Sequence, residues 1–156
     1  MTCSMVVNSK SGNTRMVSGA IKRALQAAGV EFVHAAALSD DADPEQVAHE
    51  AEGACAADTA LVGFWCDKGA CTPSVAALLS ALHGKRVFLF GTCGFGADQS
   101  YFQQIIDRVS SNLANDAELV GWAMCQGKMG PAVKQRYEAM LEQDPGNARF
   151  KMLLDN

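Results

Sequence analysis

No two of the six cysteines stand in a Cys-x-x-Cys pair. Cys3, Cys55, Cys66, Cys71, Cys93 and Cys125 lie scattered, without the paired close spacings of a structural zinc site. A secreted disulfide framework would be shorter and carry a signal segment, so free thiols in a reducing compartment are expected. An excess of basic residues is also missing. The formal charge of −4 provides no basic stripe for nucleic acid. No run approaches the roughly 18 uninterrupted apolar residues of a membrane span. The first residues hold no signal-peptide apolar region and enter a strand directly. A soluble cytoplasmic protein with neither nucleic-acid nor membrane partners is therefore expected. His34, His49 and His83 fall on a strand end and two helices and suggest no ligand set. There is no Ser/His/Asp set, no pair of carboxylates in one loop and no metal-ligand spacing. Hence no catalytic acid or base and no metal is expected. Charged residues make up 19% of the chain and hydrophobic ones 49%, a globular balance that excludes disorder and coiled coil. No Pro/Gly/Ser linker or internal repeat interrupts the 156 residues, which suffice for one domain with a proper core.

What the chain does have is a regular alternation of apolar runs and helical periodicity. Cys3 to Val7 reads as a first strand, and Met16, Val17, Ala20, Ile21, Ala24 and Leu25 mark one face of a helix from about Asn13 to Ala28. Gly29 is its stop signal. Glu31 to His34 reads as a short second strand, and Asp43-Pro44 opens a small helix through about Glu52. Ala60 to Phe64 and Val87 to Phe90 are apolar throughout, the pattern of strands buried on both faces. Between them Val75, Leu78, Leu79 and Leu82 mark a helix begun by Thr72-Pro73 and ended at Gly84. Phe102, Ile105, Ile106, Val109 and Leu113 mark another, Leu119 to Met124 a fifth strand, and Val133, Tyr137, Met140 and Leu141 a last helix. The fold class is α/β: a three-layer sandwich around a doubly wound, five-stranded parallel sheet, with 2-1-3-4-5 the natural order at this length. The core runs from about residue 2 to 143, with the tail 144–156 packing back.

The most informative segment joins the first strand to the first helix: Ser9-Lys10-Ser11-Gly12-Asn13-Thr14. A helix N-terminus presents unpaired N–H groups and the positive end of its dipole to an anion. Gly12 admits close backbone approach, Ser9, Ser11 and Thr14 add hydroxyls, and Asn13 adds an amide. A nucleoside-triphosphate loop requires Gly-Lys-Ser/Thr, but Lys10 precedes the glycine. A dinucleotide fingerprint requires three glycines, and this loop has one. The remaining reading is a hydroxyl-and-amide cradle for one terminal phosphomonoester. Its plain rival is an ordinary strand-to-helix turn capped by Ser11 or Asn13.

The loop resembles the Ser/Thr-x-Thr/Ser-Gly-Asn-Thr loop of flavodoxins, which holds the phosphate of FMN in that family. The resemblance implies FMN as cofactor and extends by position and character to two further loops. One follows the third strand (Trp65, Cys66, Asp67, Lys68, Gly69) and one the fourth (Thr92, Cys93, Gly94, Phe95, Gly96). Flavodoxins place the flavin between these loops. Trp65 and Phe95 are then the aromatic candidates for its faces, and Gly69, Gly94 and Gly96 allow backbone amides near its polar edge. Asp67, Lys68, Thr92 and Cys93 complete the expected cofactor-binding set. One departure concerns the third-strand loop. Many flavodoxins carry Pro-Thr-Trp there and acidic residues around the flavin; this chain lacks the proline and introduces Lys68. Trp65 is thus either a ring partner or an anchor at the strand end. Lys68 either favours the anionic reduced flavin, raising its potential, or points to solvent.

Cys66, Cys93 and Cys125 follow three strands about 4.8 Å apart, so they are either neighbouring thiols or separate small buried hydrophobes. The six acids from Asp40 to Glu52 are either a docking patch for a basic partner or a solvated face. The family resemblance implies an FMN-binding electron carrier, monomer or weak homodimer, serving a partner reductase or acceptor oxidoreductase. The alternatives are an FMN-dependent NAD(P)H reductase acting on a quinone or other small acceptor, and a module of the same fold without flavin.

Overall fold

A computed structural model describes residues 1–94, 98–127 and Ala139. Its elements alternate as β1 (Thr2–Val7), α1 (Asn13–Ala27), β2 (Glu31–Ala37), α2 (Pro44–Ala54), β3 (Thr59–Trp65), α3 (Pro73–Ser80), β4 (Arg86–Cys93), α4 (Gln99–Ser110) and β5 (Glu118–Gln126). The five strands form one sheet in the order β2-β1-β3-β4-β5, and every pairing is parallel. This is the expected doubly wound sheet. The expected last helix and the tail 144–156 lie outside the described residues.

The sheet separates two apolar layers. On one face Val6, Ala60, Val62, Phe64, Val87 and Leu89 pack with Val47 and Ala51 of α2, Val75, Leu78 and Leu79 of α3, and Phe102, Ile105, Ile106 and Val109 of α4. On the other, Cys3, Met5, Val7, Leu61 and Phe90 meet Val17, Ile21 and Leu25 of α1. Each central strand contributes alternate residues to the two layers, as its period of two requires. Both layers are filled, which is why β1, β3 and β4 read as unbroken apolar runs.

Two expectations change. β2 runs three residues beyond His34, to Ala37. As an edge strand half of it faces solvent, so small alanines replace the β-branched residues that would have announced it. The inward face of α1 is turned from the expected one: Met16 is 72% exposed, Ala20 and Ala24 are exposed, and Thr14 and Ser18 are buried instead. A polar bond from Thr14 to the sheet, described below, sets that rotation. Of the three thiols, left open between neighbours and separate buried groups, Cys125 stands apart from the other two. Cys93 pairs with Gln126 and Thr92 with Cys125, so Cys125 shares the α1 side with Thr92, whereas Cys66 and Cys93 belong to the opposite layer. The alternation of the pleat sends adjacent positions to opposite faces.

Candidate functional site

The carboxyl ends of β1, β3, β4 and β5 converge on one edge, where ligands bind in open α/β sheets. Asn8, immediately after β1, is 1% exposed. Its backbone N–H donates to Gly63 O at 2.9 Å. Its side-chain amide donates to Leu38 O at 2.9 Å and to Asp40 Oδ1 at 2.7 Å, and its Oδ1 accepts from Thr72 Oγ1 at 3.2 Å. This buried amide satisfies its donors and acceptor across three connections at once, holding the start of the loop after β1 in place.

The loop then turns into α1 through Gly12, whose φ of 93° is left-handed, a conformation glycine adopts without steric cost. Gly12 is the N-cap residue and has no side chain to offer the helix. Nothing lies within 4 Å of where a Cβ would point from it. The first turn, Asn13 to Met16, contains Arg15 and no acid. Two other helices are capped by their own side chains: Asp43 and Gln46 form a capping box on α2, and Asp98 accepts from Ser100 N on α4, while α3 starts at Thr72-Pro73 without a side-chain cap bond. At α1, Ser9 Oγ accepts from Gly12 N at 3.2 Å and from Arg15 N at 3.3 Å. A helix start with a glycine cap, open space before it and no acid in its first turn fits an anionic group such as a terminal phosphate.

Two of the expected hydroxyls have another place. Thr14 is 1% and Thr92 4% exposed, and their Oγ1 atoms lie 2.8 Å apart in a hydrogen bond. They lock α1 to β4 beneath the loop. Ser11 and Lys10 are exposed at its outer rim, and Asn13 Nδ2 donates to Ser11 Oγ at 3.3 Å. The Lys10 ammonium lies over the Trp65 ring, 4.9 Å from its centroid, a cation–π contact.

Trp65 closes β3 half-buried, and its indole N–H donates to Asp40 Oδ1 at 2.9 Å. One carboxylate oxygen thus receives both Asn8 and Trp65 and ties the loops after β1, β2 and β3 together. Beyond Trp65 the chain makes a two-residue hairpin. Asp67 N donates to Ala70 O at 2.7 Å and Ala70 N to Asp67 O at 3.1 Å, with Lys68 at φ 53° and Gly69 at φ 82°. Two positive φ values make this a type I′ turn. Lys68, the one non-glycine residue with positive φ among those described, bears a left-handed cost of about 1–2 kcal/mol. Its side chain is exposed. Arg108 of α4 braces the turn by donating to Gly69 O at 3.2 Å. Burial raises the flanking thiols, Cys66 above its ordinary value and Cys71 to about 11. They are poor nucleophiles near neutrality.

On the remaining loops Cys93 is buried in the α2–α4 layer, and its carbonyl accepts from Gly127 N at 2.8 Å. Gly94 is exposed, and its carbonyl accepts from Gln126 Nε2 at 3.4 Å. Phe95 and Gly96 lie outside the described residues, as does the loop beyond Gly127. The fold therefore brings Ser9 to Thr14, Trp65, Asp67 to Gly69 and Thr92 to Gly94 to one edge. Asn8, Arg108 and Gly127 are additions that sequence patterns did not single out, and Asp40, read there only as one of an acidic run, joins them. Of these, only Asn8 had a local signal: a polar residue ending an apolar run.

Four of the six acids between Asp40 and Glu52 have structural roles. Asp40 holds Asn8 and Trp65, Asp41 accepts from Ser39, Asp43 caps α2, and Glu50 pairs with His34 at 2.7 Å. That favours a solvated, self-satisfied face. Among the described residues no helix is long and apolar enough to cross a membrane.

The Flavodoxin domain model matches residues 4–156. A relative from Clostridium symbiosum, the flavodoxin-like domain-containing protein BilS, is 36% identical over 168 aligned positions, covering 100% of this chain and 84% of its own length. Among solved structures, two-electron reduced Megasphaera elsdenii flavodoxin aligns with a TM-score of 0.52 at 22% identity, over 85% of this chain and 90% of its own. A flavoprotein from Lactobacillus acidophilus, in complex with FMN, aligns at 0.52 with 16% identity, over 79% of this chain and 91% of its own. The two structural likenesses bear on the fold.

Proposed function

This chain belongs to the flavodoxin family, and from that premise we propose that it binds FMN noncovalently and carries electrons to or from a partner oxidoreductase. The observation that carries the reading is the start of α1. It is capped by glycine, has open space before it and has no acid in its first turn, while α2 and α4 are capped by their own aspartates. The Lactobacillus acidophilus flavoprotein, which is in complex with FMN, adds support for the cofactor. Once bound, FMN supplies the redox chemistry.

The residues of the chain divide the remaining work. Ser9, Ser11, Gly12 and Asn13 receive the phosphate, and Thr14 with Thr92 holds that loop to the sheet. The loops after β3 and β4 flank the ring. Trp65 keeps its indole N–H on Asp40 and offers its ring as a wall. Lys10 and Lys68 put positive charge where many flavodoxins carry acids, which favours an anionic reduced cofactor.

The test is reconstitution of the apoprotein with FMN and, separately, with riboflavin, followed by redox titration of the complex. The expected result is saturable FMN binding, tighter than riboflavin binding, and slow reduction by NADH or NADPH unless a reductase is added. Failure to prefer FMN over riboflavin would sink the phosphate-loop reading. Rapid reduction by NAD(P)H alone would make the protein an NAD(P)H reductase instead of a carrier.

A further inference from the structure

Gly127 follows the last pair of the β4–β5 ladder, Cys93 with Gln126, and its N–H continues that ladder to Cys93 O at 2.8 Å. Its backbone is not left-handed: the described glycines with positive φ are Gly12, Gly29, Gly69 and Gly84. Conformation therefore does not call for glycine at this position; space does. A Cβ on Gly127 would stand 2.7 Å from Asn13 Nδ2, 3.2 Å from Asn13 Cγ and 3.3 Å from Asn13 Cβ. The three contacts run along the whole Asn13 side chain. Rotating the amide tip relieves the first, but the Asn13 Cβ is fixed by the backbone of α1. Asn13 is the first residue of α1, adjoins Gly12 and donates to Ser11 Oγ. Pushing it aside disturbs two of the groups assigned to the phosphate.

We propose that Gly127 is a positioning residue for the phosphate loop: the missing side chain on β5 fixes the place of Asn13, and this contact makes the site select a flavin ending in phosphate over one ending in a hydroxyl. The inference rests on the proposed reading of residues 9–14. The loop then has two supports. Thr14 on Thr92 ties it to β4 from beneath, and Asn13 against Gly127 seats it on β5 from the side.

The experiment compares Gly127→Ala with the natural chain in titrations with FMN and with riboflavin, followed by flavin fluorescence. FMN binding weakens roughly tenfold or more, the scale of a lost hydrogen bond to a charged group, while riboflavin binding stays as it was. In an Asn13→Ala background, which removes the two nearest contacts and leaves only the Cβ at 3.3 Å, Gly127→Ala lowers the FMN-to-riboflavin ratio less than it does in the natural chain. An unaltered ratio in Gly127→Ala alone, or equal weakening of both ligands, overturns the proposal. Urea titration of the same four proteins covers the case of a poorly folding variant. The cost of Gly127→Ala shrinks when Asn13 is alanine, and an equal cost in both backgrounds also overturns it. A natural chain that binds both flavins equally would refute the loop's role itself, an outcome separate from these.

Discussion

Replacing Thr92 with valine keeps the shape of a side chain in β4 and removes one hydroxyl. The partner left behind is Thr14 Oγ1, 2.8 Å away on a residue only 1% exposed. Water has little access to the orphaned group, so the variant loses a hydrogen bond and strands a buried polar atom, at about 1–3 kcal/mol. With a urea m-value of about 2 kcal/mol/M, the unfolding midpoint falls by about 0.5–1.5 M. Thr14→Val gives a similar loss. The double variant, with two methyls facing each other, recovers most of it, since removing both partners of a buried pair is nearly neutral. Urea unfolding of the four proteins gives the coupling, expected at about 1 kcal/mol or more for residues in direct contact. The cycle also bears on function, because this bond ties the start of α1 to the sheet. FMN affinity should fall in each single variant and recover partly in the double. A Thr92→Val protein as stable as its parent, or a cycle that adds without coupling, would refute the argument that this bond anchors the loop.

Two further expectations concern the loop after β3. Burial raises Cys71 from the ordinary 9.0 to about 11. At pH 8 its folded-state thiolate fraction is then about one part in a thousand, and iodoacetamide labels it much more slowly than the unfolded chain, with mass spectrometry locating the adduct. The native state holds this proton more tightly than the unfolded state does. Its contribution to stability is therefore complete below pH 9 and is lost as pH rises toward 11, which urea midpoints across that range would show. Lys68→Glu keeps a residue of similar backbone cost in the turn and reverses an exposed charge. The midpoint potential of the bound flavin should drop, and an unchanged potential would mean that Lys68 serves only the turn.

Much of the fold was legible from the pattern of the chain. The unbroken apolar runs of β3 and β4 announced strands covered on both faces, and Asp43-Pro44 and Thr72-Pro73 marked helix starts where the structure has them. The phosphate loop was legible because its chemistry is local. Six consecutive residues between a strand and a helix hold the hydroxyls, the amide and the glycine, and Gly12 takes the left-handed φ that such a turn requires. β2 was cut short because alanines carry little periodic signal. The α1 face was misread because apolar spacing placed Met16 inward, whereas one hydroxyl bond across 78 positions of sequence turns Thr14 inward instead.

The sequence by itself determined the order of elements, the parallel sheet and the loop that meets the anion, since each follows from the spacing of apolar residues or from neighbours along the chain. Only the tertiary structure decided what holds that loop and its surroundings. It is the fold that sets Asp40 under Trp65 and Asn8, Arg108 on the Gly69 carbonyl, Thr92 on Thr14 and Gly127 against Asn13. In each case the partners come from separate segments of the chain. Their contact depends on register and pleat, which bring distant residues within 3 or 4 Å and leave no local trace in the order of the letters.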